Sequence, residues 1–234
     1  MTEGQEFFDY FYPTSVMETG HDILRAWVAR MVMVGYFSTK KQPFKTIFLH
    51  GMVRDSKGQK MSKSKGNVID PILMIDKYGA DALRAALIFG TKEGGDVSLS
   101  EEKVIGMRNF INKIWNIGRF IEMNRGAPNK SKKIKIINEL QKEFKKEKKQ
   151  YLKYMDSYQF SRALGLVYEF IWHRFADFYI EQLKDEIING NIEALKELKE
   201  VYLENLKMLH PFIPFVTETA WKVFNSESIL KASL

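Results

Sequence analysis

Within the 234 residues, the decapeptide Gly58-Gln59-Lys60-Met61-Ser62-Lys63-Ser64-Lys65-Gly66-Asn67 packs three lysines and two serines into six positions between glycines. Such a loop can do phosphate chemistry. Lys60 and Lys63 would place ammonium charge where negative charge builds up on a leaving pyrophosphate, and the Ser62 and Ser64 hydroxyls would add hydrogen-bond donors. Lysine acts on phosphate as a compact point charge, and the flanking glycines let backbone come close. The same composition also describes a solvated basic surface loop, so the decapeptide does not decide the matter by itself.

A second concentration of charge lies at residues 129–153, where ten lysines stand against three glutamates. That segment carries the whole of the chain's formal +7, and the rest is balanced. It suits a polyanion such as RNA, or simply a solvated helix face. His21, His50, His173 and His210 stand apart from one another, without metal-ligand spacing, so no metal site is expected. Trp115, Trp172 and Trp221 fit apolar helical faces and read as core, with exposed rings that stack on nucleic-acid bases as the alternative.

Composition narrows the classes. Apolar residues at 45% and aromatics at 13% supply a core, which excludes a disordered chain. The absence of cysteine excludes disulfides, thiolate catalysis and thiolate metal sites. The acidic start Met1-Thr2-Glu3-Gly4-Gln5-Glu6 lacks a secretory pattern, and no stretch nears the roughly 18 apolar residues of a membrane span. The expectation is a soluble, cytoplasmic chain with no membrane partner.

Two textures meet near residue 95, giving expected domains at 1–95 and 96–234. In the first, Tyr10–Glu18 and Thr46–Leu49 read as strands around a helical spacing over Asp22–Val34, a βαβ unit whose parallel strands hold ligand at their C-terminal ends. Asp70-Pro71 reads as a helix start, Gly79 as its stop, and a second helix follows from Ala80 to about Phe89. From Ser98 the pattern is helical, with about five helices and a break at Gly126-Ala127-Pro128-Asn129. The expected fold is α/β then all-α.

Lys60-Met61-Ser62-Lys63-Ser64 matches the KMSKS signature of the class I aminoacyl-tRNA synthetases. Its surroundings resemble them too: His50-Gly51 before it, then Gly66-Asn67-Val68-Ile69-Asp70-Pro71 and Tyr78-Gly79-Ala80-Asp81-Ala82-Leu83-Arg84. Pro13–Val16, Thr19-Gly20-x-Asp22-Ile23 and Trp27–Met31 are similar to the valyl branch, as are Arg108–Asn116 and His210–Trp221. His21 and Arg25 depart from the aromatics common in that branch. An isoleucyl or leucyl relative is disfavoured by Trp27–Met31.

The resemblance implies the C-terminal half of a Rossmann-like catalytic domain, then an α-helical anticodon-binding bundle. It implies ATP with Mg²⁺ as co-substrate, valine and a valine tRNA as substrates, and adenylate-forming ligation of the two. Lys60 and Lys63 would act on the phosphates with Ser62 and Ser64 beside them. Gly20 and Asp22 would meet the ribose, where a carboxylate can accept from both hydroxyls, and His50 and Gly51 would lie near adenine. The His-Ile-Gly-His-type motif that completes such a site is absent from this sequence. A missing N-terminal half of the catalytic domain is therefore an expected partner, and a non-catalytic tRNA-binding fragment is the rival reading.

Overall fold

The computed structural model describes residues 3–55, 57–59, 61, 67–125 and 135–234. They part into two compact units, Met1–Met61 with Thr91–Ser98 and Ser62–Gly90 with Leu99–Leu234. Compactness and sequence texture thus divide the chain at different places, because the helices after residue 70 pack with the bundle.

In the first unit, helix α1 (Glu3–Phe11) precedes strand β1 (Thr14–Gly20). A 3₁₀ turn (His21–Ile23) and a π-helical turn (Leu24–Val28) lead into α2 (Ala29–Thr39), and β2 (Phe44–His50) follows. β1 and β2 run parallel, with Thr14 opposite Phe44 and Gly20 opposite His50. The βαβ unit is present, but the expected strand start at Tyr10 is corrected: Tyr10 and Phe11 end α1. Aromatic residues favour strands, yet Phe7 stacks on Phe11 and Phe8 on Tyr12, with ring centroids 6.4 and 4.9 Å apart. A four-residue step brings such rings together on a helix, and these pairs outweigh the strand preference. A short parallel pair, β3 (Val53–Arg54) with β4 (Val97–Ser98), returns the later segment to this unit.

The second unit begins with α3 (Pro71–Tyr78), where Asp70 caps the Ile72 N–H at 2.8 Å and Pro71 fills the first helical position. Gly79, at φ +88°, makes the break into α4 (Ala80–Ile88). Helix α5 (Glu101–Met123) starts on a Ser100 cap that accepts from Lys103 N–H. Then come α6 (Lys135–Asp156), α7 (Phe160–Glu169), a π-helical stretch (Phe170–Ile180), α8 (Glu181–Ile188), α9 (Ile192–Leu209) and α10 (Pro214–Lys222).

An aromatic cluster forms the centre of this unit. Phe110 of α5 is fully buried against Tyr168, 4.7 Å between centroids, and Tyr168 also meets Phe89 and Trp172. Trp172, expected in the core, is only part-buried at the edge of this cluster, with Lys113 lying over its ring. Elsewhere the Tyr202 hydroxyl donates to the Ile114 carbonyl at 3.1 Å, and its ring fills the space a side chain at Gly118 would need.

A polar clamp ties α4 to the start of α10. The buried Asp81 carboxylate accepts from the N–H groups of Phe215 (3.2 Å) and Val216 (2.7 Å), so a residue of one helix caps another. Arg84 donates to the carbonyls of Phe212 and Pro211, each at 3.1 Å. Beside it, His210 Nδ1 lies 2.8 Å from the Thr217 hydroxyl.

Burial pushes His210 below its ordinary 6.5, against the opposing pull of Glu218 and Asp81. The unfolded chain therefore takes up this proton at higher pH than the folded one. The associated stability is present above pH 6.5 and is lost as pH falls through the lowered value. Urea midpoints measured between about pH 5 and 7.5 should fall on the acid side, and His210→Gln should flatten that fall. Parallel profiles for the two proteins would contradict this.

Candidate nucleotide site and RNA-binding surface

In the first unit the C-terminal ends of two parallel strands lie side by side, the place where α/β folds bind nucleotides. Gly20 and His50 face each other there in register. A Cβ at Gly20 would stand 2.7 Å from Asp22 Oδ1 and 3.6 Å from His50 Cε1, so the Asp22 carboxylate, the His50 ring and bare backbone share one notch. Asp22 and His50 are exposed at its rim, whereas Gly20 is buried. His50 Nε2 reaches Glu18 at 3.3 Å, and its Nδ1 lies 2.9 Å from the Gly51 carbonyl.

Gly51 is buried because the chain doubles back onto it: a Cβ there would overlap the backbone of Gly95. Asp96 holds that return in place. Its carboxylate accepts from the Met52 N–H at 2.7 Å and pairs with the Arg54 guanidinium, and these contacts, the Met52 bond foremost, hold its carboxyl below the usual range. Val97 N–H closes the strand contact on the Met52 carbonyl at 2.9 Å. Asp96 has no motif of its own in the sequence. The signal that could have found it is the Gly94-Gly95-Asp96 turn ahead of a β-branched residue.

Downstream, Asp55 Oδ1 accepts from the N–H groups of Lys57 (3.0 Å) and Gln59 (2.7 Å), making a tight turn at Gly58, φ +74°. Thus Gly20, Asp22, His50 and Gly51 are brought together. Lys60, Ser62, Lys63 and Ser64 lie outside the described residues.

In the second unit, α5, α9 and α10 surround a cavity of about 260 Å³ lined by Trp115, Gly118, Arg119, Tyr202, Val223 and Phe224. Trp115 was expected in the core, but it is 37% exposed and forms part of this wall. Arg125 and Lys199 both lie over the Phe224 ring, 6.0 and 5.3 Å from its centroid. An apolar slot with cations beside it suits a flat, electron-rich group next to a negative charge, as a base and its phosphate present. Among the described residues no helix is long and apolar enough to cross a membrane.

Comparison with known proteins gives the class to which these elements belong. The chain belongs to the class I tRNA synthetases: residues 2–100 match the family described as tRNA synthetases class I (I, L, M and V), and residues 138–234 the anticodon-binding domain of tRNA ligase. Within the class it is similar to valine–tRNA ligases. It is 44% identical over 228 residues to that of Pelagibacter ubique, covering 94% of this chain and 26% of the relative. It is 43% identical over 231 residues to that of Brucella suis, covering 93% and 25%. The chain therefore spans about a quarter of the length of these curated relatives.

Solved structures share the fold. Mycobacterium tuberculosis methionyl-tRNA synthetase with methionyl-adenylate superposes with a TM-score of 0.75 at 22% identity, covering 92% of this chain and 45% of that one. The Agrobacterium radiobacter K84 LeuRS–tRNA–LeuAMS complex gives 0.74 at 19%, covering 93% and 28%.

Proposed function

We propose that this chain supplies the KMSKS-loop part of the catalytic domain and the anticodon-binding bundle of a cytoplasmic valine–tRNA ligase. The observation that carries the reading is the strand-end notch, where Gly20, Asp22, His50 and Gly51 converge just upstream of the Lys60–Ser64 loop. The Asp22 carboxylate at this notch suits the paired ribose hydroxyls, with adenine beside the exposed His50, whereas the bare face of Gly51 is already filled by Gly95. Mg²⁺ would arrive with ATP as its counter-ion. The valine carboxylate would attack the α-phosphate and pyrophosphate leave; a terminal hydroxyl of the tRNA would then attack the valyl carbonyl and AMP leave. In this scheme Lys60 and Lys63 stabilise the charge that grows on the departing phosphates, with Ser62 and Ser64 as further donors. The domain boundary we favour remains near residue 95, with α3 and α4 belonging by descent to the catalytic domain.

The first unit supports a covering partner. Phe7, Tyr10, Phe11, Trp27 and Phe37 are all more than half exposed, and a lone parallel strand pair is not a self-sufficient sheet. The remainder of a synthetase catalytic domain is the cover this surface fits. The bundle would receive the anticodon, with the Trp115 cavity taking one of its bases.

The test is valine-dependent ATP–pyrophosphate exchange by this chain, alone and with the remainder of the catalytic domain supplied. Exchange that requires both parts supports the reading. No exchange with both parts present, alongside retained tRNA binding, would favour a non-catalytic RNA-binding fragment. In the same system Asp22→Asn keeps shape but removes charge, and should weaken ATP binding about tenfold. An unchanged ATP titration would remove Asp22 from the site.

A further inference from the structure

We propose that the outer face of α6 is a phosphate-binding rail for RNA, a second surface distinct from the base-sized cavity; the inference rests on the tRNA reading above. At about 100° per residue, Lys135, Lys142, Lys145, Lys146, Lys149 and Lys153 fall within an arc of roughly 100°. All six are exposed, whereas Ile137, Leu140, Phe144 and Tyr151 bury the opposite face. The row runs about 27 Å along the helix at 1.5 Å per residue, enough to follow several phosphates of one strand.

The helix's acidic groups reach only two members of this row, Lys135 and Lys146. Glu143 is held by Arg174 (2.7 and 2.9 Å) and by the Tyr179 hydroxyl (2.5 Å), which turns it toward the bundle. Glu147 is part-buried, and its carboxyl is raised by that burial. Glu139 approaches only Lys135, at 3.7 Å. The one lysine that turns inward, Lys148, pairs with Glu204 at 2.6 Å and is not part of the rail. Among the described residues Lys142, Lys145, Lys149 and Lys153 have no acidic group within ion-pair distance.

An ordinary solvated helix alternates lysine and glutamate at four-residue steps, because like charges at that spacing repel. Here lysines recur at three- and four-residue steps with acids only on the flank, an arrangement that a polyanion relieves. The rail and the cavity are also built on different helices. α6 packs on α7, α9 and the π-helical stretch, while the cavity walls come from α5, α9 and α10. RNA would thus be held twice, with the rail contributing affinity regardless of sequence and the cavity contributing discrimination.

The experiment titrates the 234-residue chain with a valine tRNA transcript, the same tRNA with an altered anticodon, and an unrelated RNA hairpin, at several salt concentrations. The probe variant carries Lys142→Gln, Lys145→Gln, Lys149→Gln and Lys153→Gln, with the four Lys→Arg changes as the charge-keeping control. The Gln variant should lower the log–log salt slope by about three to four for every RNA, and leave the ratio between the two tRNAs unchanged. The Arg variant should behave as the parent does. An unchanged slope overturns the rail, as does loss of discrimination with the slope kept. Failure of the tRNA reading shows separately, as equal affinity of the parent chain for both tRNAs, while the hairpin slope still reads the rail.

Discussion

Lys63→Ala should lower valine-dependent ATP–pyrophosphate exchange by about 10²- to 10³-fold in the completed enzyme, with tRNA affinity nearly unchanged. When pyrophosphate departs, the bond from the α-phosphorus to the α,β-bridging oxygen breaks and negative charge grows on that oxygen. A preorganised ammonium stabilises that charge more than it stabilises bound ATP, so its loss falls on the rate of adenylate formation. Lys63→Arg should recover part of the rate, because the charge stays but its placement changes. In the proposed function the tRNA would hold elsewhere, through the bundle. Single-turnover adenylate formation and tRNA titration on the same preparation separate the two effects. Equal losses in both would contradict the division of labour between loop and bundle.

The largest effect on folding should come from Phe110→Ala. Phe110 is wholly buried where α5 meets Tyr168 and Trp172, and Tyr168 carries the cluster on to Phe89 at the end of α4. Removing the ring takes away its transfer energy and leaves a cavity that flanking aromatics on separate helices cannot close, a loss of about 3–5 kcal/mol. Urea unfolding of the second unit gives this directly. A change below about 1 kcal/mol would mean that the cluster repacks, and that the centre of the unit lies elsewhere.

Local chemistry made part of this protein readable. Asp70-Pro71 and Gly79 bracket α3 at the residues their capping and φ preferences dictate, and Ser100 opens α5 for the same reason. The lysine-serine decapeptide, read from residue types alone, fitted phosphate chemistry and a solvated surface alike, and Lys60, Ser62, Lys63 and Ser64 lie outside the described residues. Tyr10-Phe11-Tyr12 misled because aromatic content speaks for a strand, while the rings that decide the matter, Phe7 and Phe8, lie one helical turn back. The Asp81 cap on α10 joins residues 134 and 135 positions apart, and the Asp96 brace on Met52 joins residues 44 apart. No spacing rule reaches that far, so these contacts appear only once the chain is folded. Trp115 shows the reverse limit: its place on an apolar helical stripe reads as core, yet the stripe there borders a cavity rather than a neighbouring helix.

The central claim, that this chain carries the loop and the anticodon bundle of a valine–tRNA ligase, is tested most directly by its own choice of RNA. Equilibrium titration of the chain with a valine tRNA, and with the same tRNA bearing another anticodon, needs no other protein. Preference for the valine anticodon by at least about tenfold, worth about 1.4 kcal/mol, is the predicted result, and Trp115→Ala should erase it. Equal affinity for the two tRNAs would contradict the account.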